Sequence, residues 1–162
     1  MTNQEFRQAV LTNAINDIGK GEGGENNWGP YVQGLLNGVG IDFPASWCAA
    51  AVWRWIASAM DLQNLKFINL FNLQNPSAKA MYNACRELGW LVTRPQPGDL
   101  IFFKRTGESW YAHVGVVETF NEWDHTVPTI EGNKGTFPAK VKRYEYKTPI
   151  DNLLGYARLL GE

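Results

Sequence analysis

The stretch 46–60, Ser-Trp-Cys-Ala-Ala-Ala-Val-Trp-Arg-Trp-Ile-Ala-Ser-Ala-Met, constrains this chain more than any other. After Cys48, only Arg54 and Ser58 in it are strongly polar. A helix that is apolar almost all round belongs in the middle of a domain, so the remaining chain must wrap it. Cys48 stands at its very start, after Pro44 and the N-cap candidate Ser46. Backbone N–H groups there have no internal partners, and the helix dipole favours negative charge. A thiol in that setting ionises more readily, and the thiolate is the nucleophile. The competing reading is a small buried cysteine packing as a hydrophobe.

The 162 residues suggest one domain, 1–162, in which a helix over 1–19 precedes a core over 20–162. At this size roughly 68–70% of the unfolded surface can be buried, so no disulfide or metal staple is needed. The net charge of −1 gives neither a nucleic-acid footprint nor a basic membrane patch. The N-terminus has no apolar targeting region, and no apolar run is long enough to insert into a bilayer. Synthesis in the cytoplasm without a signal peptide is expected, with release by other means if the protein acts outside. Of the two cysteines, Cys85 falls in a helical stretch near Met81 and reads as core. A disulfide between Cys48 and Cys85 would consume the candidate nucleophile.

Thr2 and Glu5 have capping-box spacing, and Phe6, Val10, Ala14, Ile15 and Ile18 recur at helical period up to Gly19. The segment 20–29 is a loop by composition, and Pro30 opens a short helix through Leu36. Residues 61–75 are ambiguous. Pro76-Ser77 opens a further helix, which Gly89 closes. Beyond the turn at 94–99 the pattern becomes extended, with strands predicted at 100–104, 112–118, 128–131, 140–146 and 155–160. Helices first and strands after define an α+β fold, the N-terminal helices packing on a C-terminal antiparallel sheet.

A nucleophilic cysteine needs a base within reach, and the base needs a third group to orient it. The chain has two histidines. His125 lies in the polar turn Asn121–Thr126 and reads as a solvated loop residue. His113 lies inside the strand Ala112-His113-Val114-Gly115-Val116-Val117, sharing a face with Gly115 and Val117. Solvation does not explain a histidine among small and apolar residues, so it needs a specific partner or a role. Glu131 and Asn133 flank Gly132, project from one face of a strand, and either would orient an imidazole on the next strand. Gly132 leaves room for that approach.

Four motifs in this order carry a resemblance: Trp47-Cys48-Ala49-Ala50, Pro97-Gly98-Asp99-Leu100-Ile101-Phe102-Phe103, Ala112-His113-Val114-Gly115-Val116-Val117 and Ile130-Glu131-Gly132-Asn133. Together they resemble the CHAP domain, the cysteine, histidine-dependent amidohydrolase/peptidase group related to NlpC/P60 and papain-like enzymes. The segment Glu22–Pro30 resembles the leading loop of phage-type members. The resemblance implies a papain-like α+β fold with a five- to six-stranded antiparallel sheet or an SH3-like half-barrel. It implies cleavage of an amide in peptidoglycan, either the N-acetylmuramoyl–L-alanine bond or a stem or cross-bridge peptide bond. By matching position Cys48 is the nucleophile, His113 the base, Glu131 the orienting group and Asn133 a polar supporter. Some members carry acidic calcium ligands around the cysteine. Here Asp42 is the only carboxylate there, so no such site is predicted, and Glu22, Glu25 and Asp42 alone would be a sparse set for a metal.

No cofactor is implied. The expected partner is bacterial peptidoglycan, met by a monomer that binds no nucleic acid. Backbone N–H groups would meet the oxyanion, the Cys48 N–H first, with a second donor from the Glu22–Trp28 loop. Asn27, Trp28, Trp47 and Trp110, with Tyr111, are candidates to line a groove, against the alternative of core packing. A phage or prophage endolysin is the leading expectation. A secreted antibacterial toxin, a virion-associated hydrolase, a papain-like hydrolase or acyltransferase on another substrate, and an inactive phage structural module are the alternatives.

Overall fold

The computed structural model describes residues 1–105 and 112–162. Helices α1 (Asn3–Asn16), α2 (Pro30–Asn37) and α3 (Cys48–Ala59) come first, then a 3-10 helix (Leu65–Leu73) and α4 (Ala78–Glu87). The strands follow: β1 (Leu91–Val92), β2 (Leu100–Lys104), β3 (Ala112–Val117), β4 (Thr126–Glu131), β5 (Lys142–Lys147) and β6 (Leu153–Ala157). The α+β expectation holds. The sheet is antiparallel in order β1-β6-β2-β3-β4-β5, open, with β1 and β5 at its edges rather than closed as a half-barrel.

The apolar rod forms α3, and the two residues on it that face solvent are the polar ones, Arg54 and Ser58. Phe6, Val10, Leu11 and Ala14 of α1 pack into the same core. Thr2 and Glu5 cap α1 reciprocally, with Glu5 N–H donating to Thr2 Oγ1 at 3.0 Å and Thr2 N–H to Glu5 Oε2 at 2.6 Å. The helix stops at Asn16, ahead of the Gly19 that was expected to end it. Asp17 follows as the C-cap, and its carboxylate accepts from Tyr31 Oη of α2 at 2.8 Å and Trp55 Nε1 of α3 at 2.9 Å, which fastens three helices at one point. The ambiguous segment 61–75 resolves as the 3-10 helix, with Phe67, Leu70 and Leu73 turned inward.

Alternation assigns the two faces of the sheet. Leu100, Phe102, Val114, Val116 and Ile130 join the core beneath the helices. Ile101, Phe103, Val117, Val127 and Tyr156 form a smaller core on the opposite face. His113, two residues before Gly115 and four before Val117, belongs to that second face.

The turn before β2 is held from beneath. Gly98 has φ +85°, and a Cβ there would lie 2.3 Å from Arg7 O of α1. Asp99 follows, fully buried, and takes the Arg158 guanidinium at 3.2 Å (Nε) and 2.9 Å (Nη2). The aspartate of the Pro97–Phe103 motif thus ties the C-terminal segment to β2. Removing one partner of a buried pair strands the other's charge. Asp99→Ala is therefore expected to lower unfolding free energy by about 3–5 kcal/mol, read by urea denaturation, while Cys48 chemistry persists in the folded fraction. A loss below about 0.5 kcal/mol, the range of an ordinary surface change, would contradict this role.

Candidate active site

Cys48 is the first residue of α3 and is 4% exposed. Ser46 does not cap the helix. Trp47 occupies the N-cap with φ −122° and ψ 10°, and no side chain bonds the first amides. An indole has only a donor, so it cannot satisfy them. The helix therefore presents uncapped N–H groups and its positive end beside the sulfur. Burial by itself pushes the Cys48 thiol up. The charge of His113, its hydrogen-bonding contact, the Val114 backbone N–H and the Arg105 charge outweigh that and hold the thiol below its ordinary value. Cys85 has no such neighbours, and burial pushes it up to about 12. Both cysteines are free thiols.

His113 is buried, and its Nε2 donates to Glu131 Oε1 at 2.7 Å. The other ring nitrogen, Nδ1, is buried without an aligned hydrogen-bond partner. Nε2 being taken by Glu131, Nδ1 is the ring nitrogen left for the Cys48 sulfur. Burial disfavours the imidazolium. The Cys48 charge and contact, then the Glu131 hydrogen bond and charge, overcome it and raise His113 to about 9. Both shifts run toward the ionised forms, so the environment favours the thiolate–imidazolium pair over the neutral one.

Glu131 is fully buried. Burial would raise its carboxyl, but the bond and charge of His113, then Thr129 and Lys134, keep it below the usual carboxylate range. Its Oε2 accepts from Thr129 Oγ1 and from Tyr146 Oη, the latter at 2.8 Å. Lys134 Nζ stands 3.9 Å from Oε1 and contacts the Tyr146 hydroxyl. Strands β3 and β4 pair at Val116–Ile130 and Val117–Thr129, and continuing that register sets Gly115 opposite Glu131. A Cβ on Gly115 would lie 2.5 Å from Glu131 Cγ, so the glycine opens the space that the carboxylate fills.

Gly132 serves differently from expectation: a Cβ there would lie 2.4 Å from the Trp47 ring. Trp47 was a candidate groove residue. It is 0% exposed, and its Nε1 donates to Glu22 Oε1 at 3.1 Å. Glu22 Oε2 accepts from Ala139 N–H at 2.9 Å, so this carboxylate anchors the glycine-rich loop to the segment between β4 and β5. Glu25 and Asp42 are exposed, and among the described residues no three His, Cys, Asp or Glu side chains converge as metal ligands. Trp28 is half-buried against the main core. Trp110 and Tyr111 lie outside the described residues. His125 is exposed, as expected for a turn residue.

Asn133 does not continue the β4 face. The strand ends at Glu131, and Asn133 turns away with φ +56°. It lines a cleft of about 530 Å³ with Asn27 and His113. Tyr146, Thr129 and Lys134 escaped the sequence reading. Thr129 was legible as the residue two before Glu131 on one face, but Tyr146 needs the β4–β5 register.

The model of the CHAP domain family matches residues 39–133, which span Cys48, His113, Glu131 and Asn133. No curated protein and no solved structure matches the chain.

If Gly115 makes room for Glu131, Gly115→Ala displaces the carboxylate and releases His113. Misplacing a positioned group by about 1 Å can cost ~10²-fold in rate. At mildly acidic pH, iodoacetamide is expected to label wild-type Cys48 and spare Cys85, and to label Cys48 of the variant at least about 10-fold more slowly. Equal labelling of the two cysteines in wild type, or an unchanged Cys48 rate in the variant, would contradict the assignment.

Proposed function

The chain belongs to the CHAP domain family, a family of peptidoglycan amidases and peptidases, and from that premise we propose that it hydrolyses an amide of bacterial murein through Cys48, His113 and Glu131. One observation carries the reading: a free thiol at an uncapped helix start shares a buried imidazole with a buried carboxylate.

In the proposed mechanism His113 Nδ1 holds the Cys48 proton, and Sγ attacks the scissile carbonyl carbon. The developing oxyanion meets the Cys48 N–H, a donor type worth about 2.7–4 kcal/mol in kcat. A second donor from the Glu22–Trp28 loop is proposed, since Asn26 and Asn27 of that loop line the cleft that contains His113. The tetrahedral intermediate collapses, and Nδ1–H passes its proton to the departing amine. Water, deprotonated by the same nitrogen, hydrolyses the thioester and restores the thiol. Glu131 keeps Nε2 protonated throughout, which directs Nδ1 at the sulfur and stabilises the imidazolium. Asn133 borders the cleft as a polar contact for substrate.

The bond cut is proposed to be the N-acetylmuramoyl–L-alanine amide or a peptide bond of the stem or cross-bridge. A phage or prophage endolysin is the proposed setting, supported by the likeness of the Glu22–Pro30 loop to phage-type members. Such a protein is made in the cytoplasm and reaches the wall after holin-type release. No helix of the described residues is long and apolar enough to cross a membrane.

Zymography with purified murein tests the roles. Wild type is expected to clear the wall, while Cys48→Ser and His113→Ala lose about 10³-fold or more. Mass analysis of the products identifies the bond. Clearing should rise with pH as the depressed thiol ionises and fall as His113 deprotonates near 9. Clearing by Cys48→Ser would remove the nucleophile assignment.

A further inference from the structure

One cleft lies on the imidazole side of the site and another on the thiol side. The larger, about 530 Å³, has His113 in its wall, and the smaller, about 190 Å³, has Cys48 in its wall. Ser46 and Arg105 line both, so they stand where the two join. The larger cleft carries Lys104, Arg105 and Lys134 and, among the described residues, no carboxylate. The chain as a whole has a net charge of −1, so these cations are not a sample of a generally basic surface. The Arg105 charge reaches the sulfur, where it helps hold the Cys48 thiol down.

The cations differ in their commitments. Lys134 balances Glu131 at 3.9 Å and lies over the rings of Tyr144 and Tyr146 at 4.1 and 4.5 Å, so it is fixed in place. Glu131 and Cys48 against His113 and Lys134 make the centre neutral when the thiol and imidazole are ionised. Among the described residues, Lys104 and Arg105 remain as excess positive charge in the cleft. Lys104 is set by the end of β2, whose backbone exchanges hydrogen bonds with Asn152: Lys104 N–H donates to Asn152 O at 2.8 Å and Asn152 Nδ2 donates to Lys104 O at 2.9 Å. Asn152 also lines the cleft. The wall thus offers amide groups suited to a peptide backbone and two cations suited to an anion.

We propose that this cleft selects a free carboxylate on the substrate, held by Lys104 and Arg105 beside the scissile amide. Hydrogen bonds to ionised groups are shorter and about twice as strong as neutral ones, so an amidated analogue of the same shape binds less well. The inference deepens the murein reading and rests on it for the substrate. It assigns a stem peptide with a free carboxylate as preferred over its amidated form.

The test has an arm that needs no murein. Cys48 is alkylated with iodoacetate, an anion, and with iodoacetamide, its neutral analogue, in wild type and in Lys104→Gln/Arg105→Gln. The ratio of the two rates cancels changes in thiolate fraction. It is expected to fall about 10-fold in the double variant at low salt, and an unchanged ratio overturns the proposal. In the second arm, muropeptides with D-isoglutamate or D-isoglutamine in the stem are compared. Wild type should favour the free carboxylate by about 10-fold or more in kcat/KM, and the variant should lose that preference. A lowered alkylation ratio with neither muropeptide cut would support an anion-selecting cleft and overturn the murein reading beneath it. A lowered ratio with both muropeptides cut equally would overturn the carboxylate assignment alone.

Discussion

The bond between Glu131 and His113 is the constraint on which the rest depends. A buried carboxylate is costly unless it is paired and hydrogen-bonded. Glu131 is fully buried, and both oxygens are occupied: Oε1 by His113, Oε2 by Thr129 and Tyr146. That satisfaction lets a negative charge persist inside the sheet, and the charge makes a protonated imidazole tolerable beside it. The imidazolium in turn lowers the proton affinity of the Cys48 thiol. Remove the carboxylate's partners and each later link weakens in order.

The fold supplies this chain of charges from separate parts. The apolar α3 fixes the sulfur because nearly its whole surface is committed to packing. The sheet fixes the imidazole and the carboxylate because alternation places His113, Gly115, Thr129 and Glu131 on one face. Two glycines make the assembly fit. Gly115 opens space for Glu131, and Gly132 opens space for Trp47, the residue just before Cys48. Glu22 then bolts Trp47 to the glycine-rich loop, so the tryptophan that resembled a groove residue works as a post behind the site.

Much of this was legible in the sequence because it follows from periodicity. The α3 rod, the capping box of α1 and the β2 and β3 strands depend on local pattern, and so does the shared face of His113 and Gly115. The choice between Glu131 and Asn133 as partner of the imidazole was not, since it depends on where β4 ends. Ser46 has the residue type of an N-cap but not its position. Trp47 looked like a ligand contact because an aromatic beside a nucleophile is equally suited to wall or core, and only its contact with Gly132 separates the two. Tyr146 and Lys134 join Glu131 through the β4–β5 pairing, a non-local register that no spacing along the chain encodes.

The central claim is a thiolate and an imidazolium paired in the resting protein. A nitrogen-15 NMR titration of His113 tests it most directly. In wild type both ring nitrogens should be protonated at neutral pH, with one proton lost near pH 9. In Cys48→Ala that loss should move to lower pH, because the negative sulfur is gone. A neutral His113 ring in wild type at neutral pH, or a titration that ignores the loss of the sulfur, would contradict the pairing.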